Sequence, residues 1–224
     1  MTTERSAGRR KQPALLALLC FLCAIAAASV SLPTATLGEQ PDDILSRASV
    51  LHDPDIPSLG NPNGDLTIVE FIDYQCPYCK KTVPQLAQLA KDDGNIRIVL
   101  KDWPIFGDIS VDAARLVLAS KYQDKYSEAH TALMGATEKL TEAKIHDILT
   151  AAGVDVAKAT ADLQEHQKTI DDLIARNTAQ AEAFGFEGTP GFIVGTFRVP
   201  GVLEMSVFKQ VIADARKEAK KHHS

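Results

Sequence analysis

The chain has 224 residues, 45% of them apolar, and a formal net charge of −5. That length suits one globular domain, or one domain carrying an insertion. The acidic balance, which deepens once the basic first 30 residues are set aside, excludes a general nucleic-acid surface.

Residues 1–30 open with a basic cluster, Arg9, Arg10 and Lys11, followed by a nearly uncharged apolar run from Ala14 to Val30 and a small-residue stretch, Ala26-Ala27-Ala28. This is the layout of a secretory signal peptide. The apolar run is long for that purpose and just short of a comfortable membrane span, so an uncleaved N-terminal anchor is the competing reading. Cys20 and Cys23 lie within it, outside any convincing lipoprotein box. Either reading places the folded part in the periplasm or another extracytoplasmic compartment, where disulfides persist.

Residues 31–63 read as a connector with five prolines, Pro33, Pro41, Pro54, Pro57 and Pro62. Ile44, Leu45, Ala48 and Leu51 fall on one face of a short helix within it. That face either packs back on the domain or, through residues 40–52, joins copies of the chain into a homo-oligomer.

Residues 64–106 carry the chemistry. Leu66–Ile72 is rich in β-branched and apolar residues and reads as a buried strand. Two loop residues later comes Cys76-Pro77-Tyr78-Cys79, opening a helix. Pro77 suits the first helical position, where a missing N–H costs nothing. Cys76 then stands at the N-cap, facing unpaired N–H groups and the positive end of the helix dipole. Lys80 and Lys81 add positive charge. In such surroundings a cysteine pKa falls from about 8.5 to about 3.5–7.5, because the thiolate is the favoured form. Cys76 is the expected nucleophile and Cys79 the expected resolving thiol, the pair closing and passing on a disulfide through a mixed-disulfide intermediate. A half zinc site and an inert structural disulfide are the other readings; His52, His130, His146, His166, His222 and His223 offer no second ligand pair at finger spacing, so no metal site is assigned. The helix carries Val83, Leu86, Ala87 and Ala90 on one face, is kinked by Pro84 and stops at Asp92-Asp93-Gly94-Asn95. Ile96–Lys101 is the next strand, parallel to the first. Glu70, an acid inside an apolar strand six residues before Cys76, lies either on a solvated face or buried beneath the disulfide, where its pKa would be raised, and Lys101 at the end of the next strand is its candidate charge partner.

Residues 107–165 read as a block of short helices capped by Ser110, Asp124, Thr141 and Asp155. Tyr126 and Met134 are core positions in it. Residues 166–224 hold a long amphipathic helix through Ile170, Leu173, Ala181 and Phe184, then Gly188-Thr189-Pro190-Gly191-Phe192, a hairpin turning at Gly195-Thr196, and a last helix with Val207, Phe208, Val211 and Ile212 inward.

A Cys-Pro-Tyr-Cys at a strand–helix junction, with Gly-Thr-Pro-Gly-Phe more than a hundred residues later, resembles the DsbA-like branch of the thioredoxin superfamily over residues 60–220. The resemblance implies an α/β thioredoxin fold built from 64–106 and 166–224, with 107–165 as an inserted all-helical domain, preceded by the signal or anchor segment and a short N-terminal helix. It implies that Pro190 is cis beside the disulfide, that the Thr189 backbone pairs with a substrate peptide alongside Pro77 and Tyr78, and that Glu70 lies under the active site and helps move the proton of the resolving thiol. The implied activity is thiol–disulfide exchange on unfolded or misoxidised exported proteins, by oxidation or by isomerisation and reduction, with no cofactor, and with a membrane partner that resets the pair. Thr189 and Tyr78 resemble isomerase and reductase relatives, whereas the missing long dimerisation domain resembles oxidases. Readings of another class are a copper(I) carrier using the same thiolates, which suit a soft ion, and a holdase chaperone.

Overall fold

The computed structural model describes residues 43–221. The signal or anchor reading, Cys20, Cys23, the start of the connector, His222 and His223 lie outside the described residues.

Among the described residues five strands form one mixed sheet: β1 Ser58–Gly60, β2 Leu66–Ile72, β3 Ile96–Asp102, β4 Gly191–Val194 and β5 Phe197–Pro200, in the order β1-β3-β2-β4-β5. Only β2 and β3 run parallel, joined through helix α2 (Pro77–Asp93). The remaining pairs are antiparallel. Helix α1 is Arg47–Leu51; α3 Asp108–Ala119, α4 Tyr126–Gly135, α5 Glu142–Ala151, α6 Val156–Glu165 and α7 Gln167–Ala183 lie between β3 and β4; α8 Met205–Lys221 follows the hairpin. This is a thioredoxin-like α/β fold.

All seven residues of β2 are buried, because the strand has a neighbour on each side and helices on both faces. Side chains alternate across the sheet, so adjacent residues of β2 meet different layers. Phe71 faces Trp103, Phe184 and Phe186, with ring centroids 5.4–6.4 Å away. Glu70 shares the opposite face with Phe192, which packs edge-on against Phe208 of α8 at 5.2 Å. Each such fully buried ring or branched side chain contributes about 1.5–3 kcal/mol.

Several elements differ from the sequence reading. The connector holds strand β1, three residues long and too short to show a period. Helix α1 buries Val50 and Leu51 and leaves Ala48 exposed, as Leu45 ahead of it is, so of the face expected from Ile44, Leu45, Ala48 and Leu51 only Leu51 is buried. Helix α2 runs unbroken past Pro84, whose ring lies on the exposed side, and ends at Gly94 with φ 75°. Its buried row is Cys79, Thr82, Leu86, Leu89 and Ala90, with Ala87 exposed. Thr141 and Asp155 cap α5 and α6 as the sequence predicts. Ser110 and Asp124 do not cap: Ser110 is buried inside α3, and Asp124 takes a left-handed turn before α4. In α8 the inward residues are Phe208, Ile212 and Ala215, while Val207 is exposed.

Candidate active site

The site forms where β2 delivers the chain to the N-terminus of α2. Cys76 is the N-cap, with φ −70° and ψ 116°, and its Sγ accepts from the Cys79 N–H at 3.3 Å. Pro77 occupies the first turn, and Pro77 and Tyr78 face solvent. Cys76 is 1% exposed and Cys79 fully buried, both as free thiols. The loop before β4 closes over them. The Thr189–Pro190 peptide is cis, Pro190 is buried, and the Cys76 Sγ donates to the Thr189 carbonyl at 3.2 Å. Gly191 follows because a Cβ there would stand 2.8 Å from the Phe186 ring.

The two sulfurs are driven in opposite directions. The Cys76 thiol is lowered to about 6, chiefly by the hydrogen bond from Cys79, with Thr189 and the N–H groups of Cys79 and Tyr78 adding to it against burial. Burial pushes the Cys79 thiol far up, with its hydrogen bond to Cys76 and the charge of Glu70 acting the same way. The lowering at Cys76 thus comes from hydrogen bonds, the expected helix N–H groups among them, and the lysines expected to add positive charge are not among its causes. The Lys80 ammonium is turned to the Ala136 carbonyl at 2.7 Å.

Glu70 is fully buried, and neither carboxyl oxygen has a hydrogen-bond partner among the described residues. Burial, with the charge of Cys76 behind it, raises it to about 8. It is therefore mainly protonated at neutral pH and close enough in energy to ionisation to exchange a proton.

Lys101 is not the partner of Glu70. In the parallel register Lys101 stands opposite Phe71, so its side chain leaves on the other face of the sheet. There it donates to the Ser49 carbonyl at 3.1 Å and lies 3.7 Å from Asp53, which Arg176 also grips at 2.9 Å. This buried ion cluster ties the segment after α1 to β3 and α7.

Asp73 is a residue the sequence reading passed over. Its Oδ1 accepts from the Gln75 N–H and the Ser110 hydroxyl, both at 2.7 Å, and its Oδ2 from the Ile105 and Phe106 N–H groups at 2.7 and 3.0 Å. Its carbonyl accepts from the Cys76 N–H at 3.1 Å. One buried carboxylate thus fixes the turn that presents Cys76. The sequence signal was available: an Asp two residues before a loop N–H is an Asx-turn pattern. Its longer-range donors were not. Beside it Tyr74 reaches His130 of α4, hydroxyl to Nδ1 at 3.3 Å.

The fold and the paired thiols define the class: proteins of thioredoxin fold that carry two free cysteines at a helix N-terminus. Residues 67–213 match the DSBA-like thioredoxin domain, and the chain belongs to that family. The thioredoxin-like oxidoreductase of Silicibacter pomeroyi DSS-3 is 40% identical with a TM-score of 0.74, covering 77% of this chain and 98% of its own. The thiol-disulfide exchange protein alpha-DsbA2 of Wolbachia pipientis is 26% identical with a TM-score of 0.70, covering 75% and 91%. Among curated relatives, the chain spans about a quarter (24%) of the Na(+)/H(+) antiporter NhaA 1 of Mycobacterium sp. strain KMS, at 25% identity over 145 residues, which is 63% of this chain. It is 27% identical over 150 residues to the probable disulfide bond formation protein D of Bacillus cereus, covering 61% of this chain and 68% of that protein.

Proposed function

We propose that Cys76 and Cys79 exchange disulfides with exported proteins and that the working direction is isomerisation or reduction. The observation that carries the reading is the opposite displacement of the two thiols, one lowered to about 6 and the other pushed up. At neutral pH Cys76 is a thiolate and Cys79 a held-back thiol. Thiols of strong oxidases lie near 3.5 and of reducing thioredoxins near 7, so a value of about 6 favours the reducing side.

In the isomerase cycle the Cys76 thiolate attacks a wrong substrate disulfide, forming a Cys76–substrate bond and releasing a substrate thiolate. That thiolate attacks another substrate disulfide, and the rearranged protein leaves as its own sulfur displaces Cys76. Where rearrangement stalls, Cys79 gives its proton to ionised Glu70 and attacks Cys76. The Cys76–Cys79 bond forms, the bond to substrate breaks, and the substrate departs reduced by two electrons. Run backwards, the same steps oxidise a dithiol. Thr189, whose carbonyl already meets the Cys76 sulfur, is the backbone against which an extended substrate segment aligns, flanked by Pro77 and Tyr78. The catalytic group is Cys76, Cys79, Glu70 and Pro190.

The wider assignment is that residues 64–106 and 166–224 form the thioredoxin unit and 107–165 the helical insertion. The chain acts outside the cytoplasm after export through residues 1–30, and a membrane partner resets the pair. No helix among the described residues is long and apolar enough to cross a membrane. Reactivation of scrambled ribonuclease by the reduced chain tests the direction. Rapid recovery that vanishes in Cys76→Ala is expected. No recovery, with fast oxidation of reduced ribonuclease by the disulfide form, overturns it in favour of an oxidase.

A further inference from the structure

Behind α2, away from the Thr189–Pro190 loop, a cavity of about 430 Å³ runs in between α2, α4 and the sheet. Its walls are apolar, among them Leu86, Leu100 and Met134. Two buried polar side chains also line it, Glu70 and His130, and both carry atoms without a partner among the described residues: the two Glu70 oxygens and the His130 Nε2. Exposed Ala87 and Lys91 border it, with half-buried Lys80. Binding sites for small molecules have this make-up, an apolar cleft of about 300–1,000 Å³ with a few convergent polar groups.

Charge narrows what fits. A cation entering would pass Lys80 and Lys91, and an anion would lie against two neutral, buried groups in an apolar cleft, where an isolated charge is costly. A protonated Glu70 presents an O–H donor, and orphaned buried donors gain most from an acceptor placed on them. We propose that this cavity is a binding site for a small uncharged molecule, mostly apolar and bearing a ketone or amide carbonyl, and that filling it restrains proton transfer at Glu70. The second half rests on the role proposed above for Glu70, because a carbonyl accepting from the carboxyl O–H keeps Glu70 protonated, and a protonated Glu70 cannot take the proton that Cys79 gives up.

The probe is 6-propionyl-2-dimethylaminonaphthalene, an uncharged naphthyl ketone whose emission reports both polarity and hydrogen bonding to its carbonyl, titrated into the full reduced chain. Saturable binding is expected, weakened at least tenfold by Ala87→Trp, which fills the mouth from an exposed position and leaves ribonuclease reactivation unchanged. Glu70→Leu, which keeps the cavity apolar, should weaken it several-fold. Binding that is equally strong in Ala87→Trp, or none in the wild type, overturns the site. With the probe bound, the release of substrate from Cys76 by Cys79 should slow several-fold in stopped flow. Mouth-sensitive binding without that slowing leaves the site standing and overturns its control over Glu70. If Glu70→Gln by itself leaves the release rate unchanged, the catalytic reading of Glu70 is what fails.

Discussion

Asp73 and Glu70 are both buried carboxylates on the stretch leading to Cys76, three residues apart, and their environments are opposite. Asp73 accepts four hydrogen bonds from Gln75, Ser110, Ile105 and Phe106. Glu70 accepts none among the described residues. A carboxyl ringed by donors fixes geometry, whereas one stripped of water and partners is held near the point of protonation, as Glu70 is at about 8. The difference separates two tasks that share one strand end: Asp73 shapes the turn, and Glu70 is left able to titrate beside the resolving thiol.

The contrast breaks most visibly at Asp73. Asp73→Ala leaves the buried Ser110 hydroxyl and three part-buried loop N–H groups without their acceptor, and should cost about 3–4 kcal/mol, an abandoned buried donor costing roughly 1–3 and those that water can reach less. A fall in the urea midpoint with an unchanged slope measures it. A loss under about 1 kcal/mol would mean that water replaces the carboxylate without penalty.

Glu70→Gln should act the other way. The folded pKa of about 8 lies above the ordinary 4.5, so between those values the folded state holds a proton that the unfolded chain releases. Stability contributed by the protonated form is complete below pH 4.5 and is lost as pH rises through 8. Gln resembles the protonated acid and has no such slope. The variant should match wild type near pH 4 and exceed it by about 2–3 kcal/mol at pH 7, read from urea melts across pH. Equal pH slopes in the two proteins would remove the buried acid from the argument.

The smallest effect sharpens the comparison at the sulfurs. Alkylation of the reduced chain by iodoacetamide should rise with a midpoint near pH 6 and modify Cys76 alone, Cys79 staying inert through neutral pH. Because the Cys76 pKa is lowered on folding, its thiolate stabilises the reduced protein fully above pH 9, and that stabilisation is lost as pH falls through 6. A midpoint above 8 would show that the hydrogen bonds from Cys79 do not hold the thiolate.

Strand Leu66–Ile72, the N-cap at Cys76, the hairpin at Gly195-Thr196 and the caps at Thr141 and Asp155 were legible in the sequence, since each rests on contacts within a few residues. Strand β1 was not, because three residues have no period and its only reason to be extended is β3 beside it. The packed faces of α1, α2 and α8 were each misread by a residue or more. Ala87 and Val207 look apolar in a helical pattern, but the neighbouring layer takes up Leu89 in α2 and, in α8, Ala215 beside the expected Phe208 and Ile212.

By itself the sequence determined that a cysteine would cap a helix after a buried strand, because proline, cysteine and an apolar run act locally through the backbone. It placed an acid six residues upstream, since strand periodicity is also local. Only the tertiary structure decided which charges meet. Parallel register sends Lys101 to the face opposite Glu70, where Asp53 and Arg176 receive it. Chain closure brings Ser110 and the backbone of Ile105 and Phe106 onto Asp73, and Thr189 onto Cys76. Electrostatic partners are fixed by distances through space, and a single chain read in order carries no record of them until it folds.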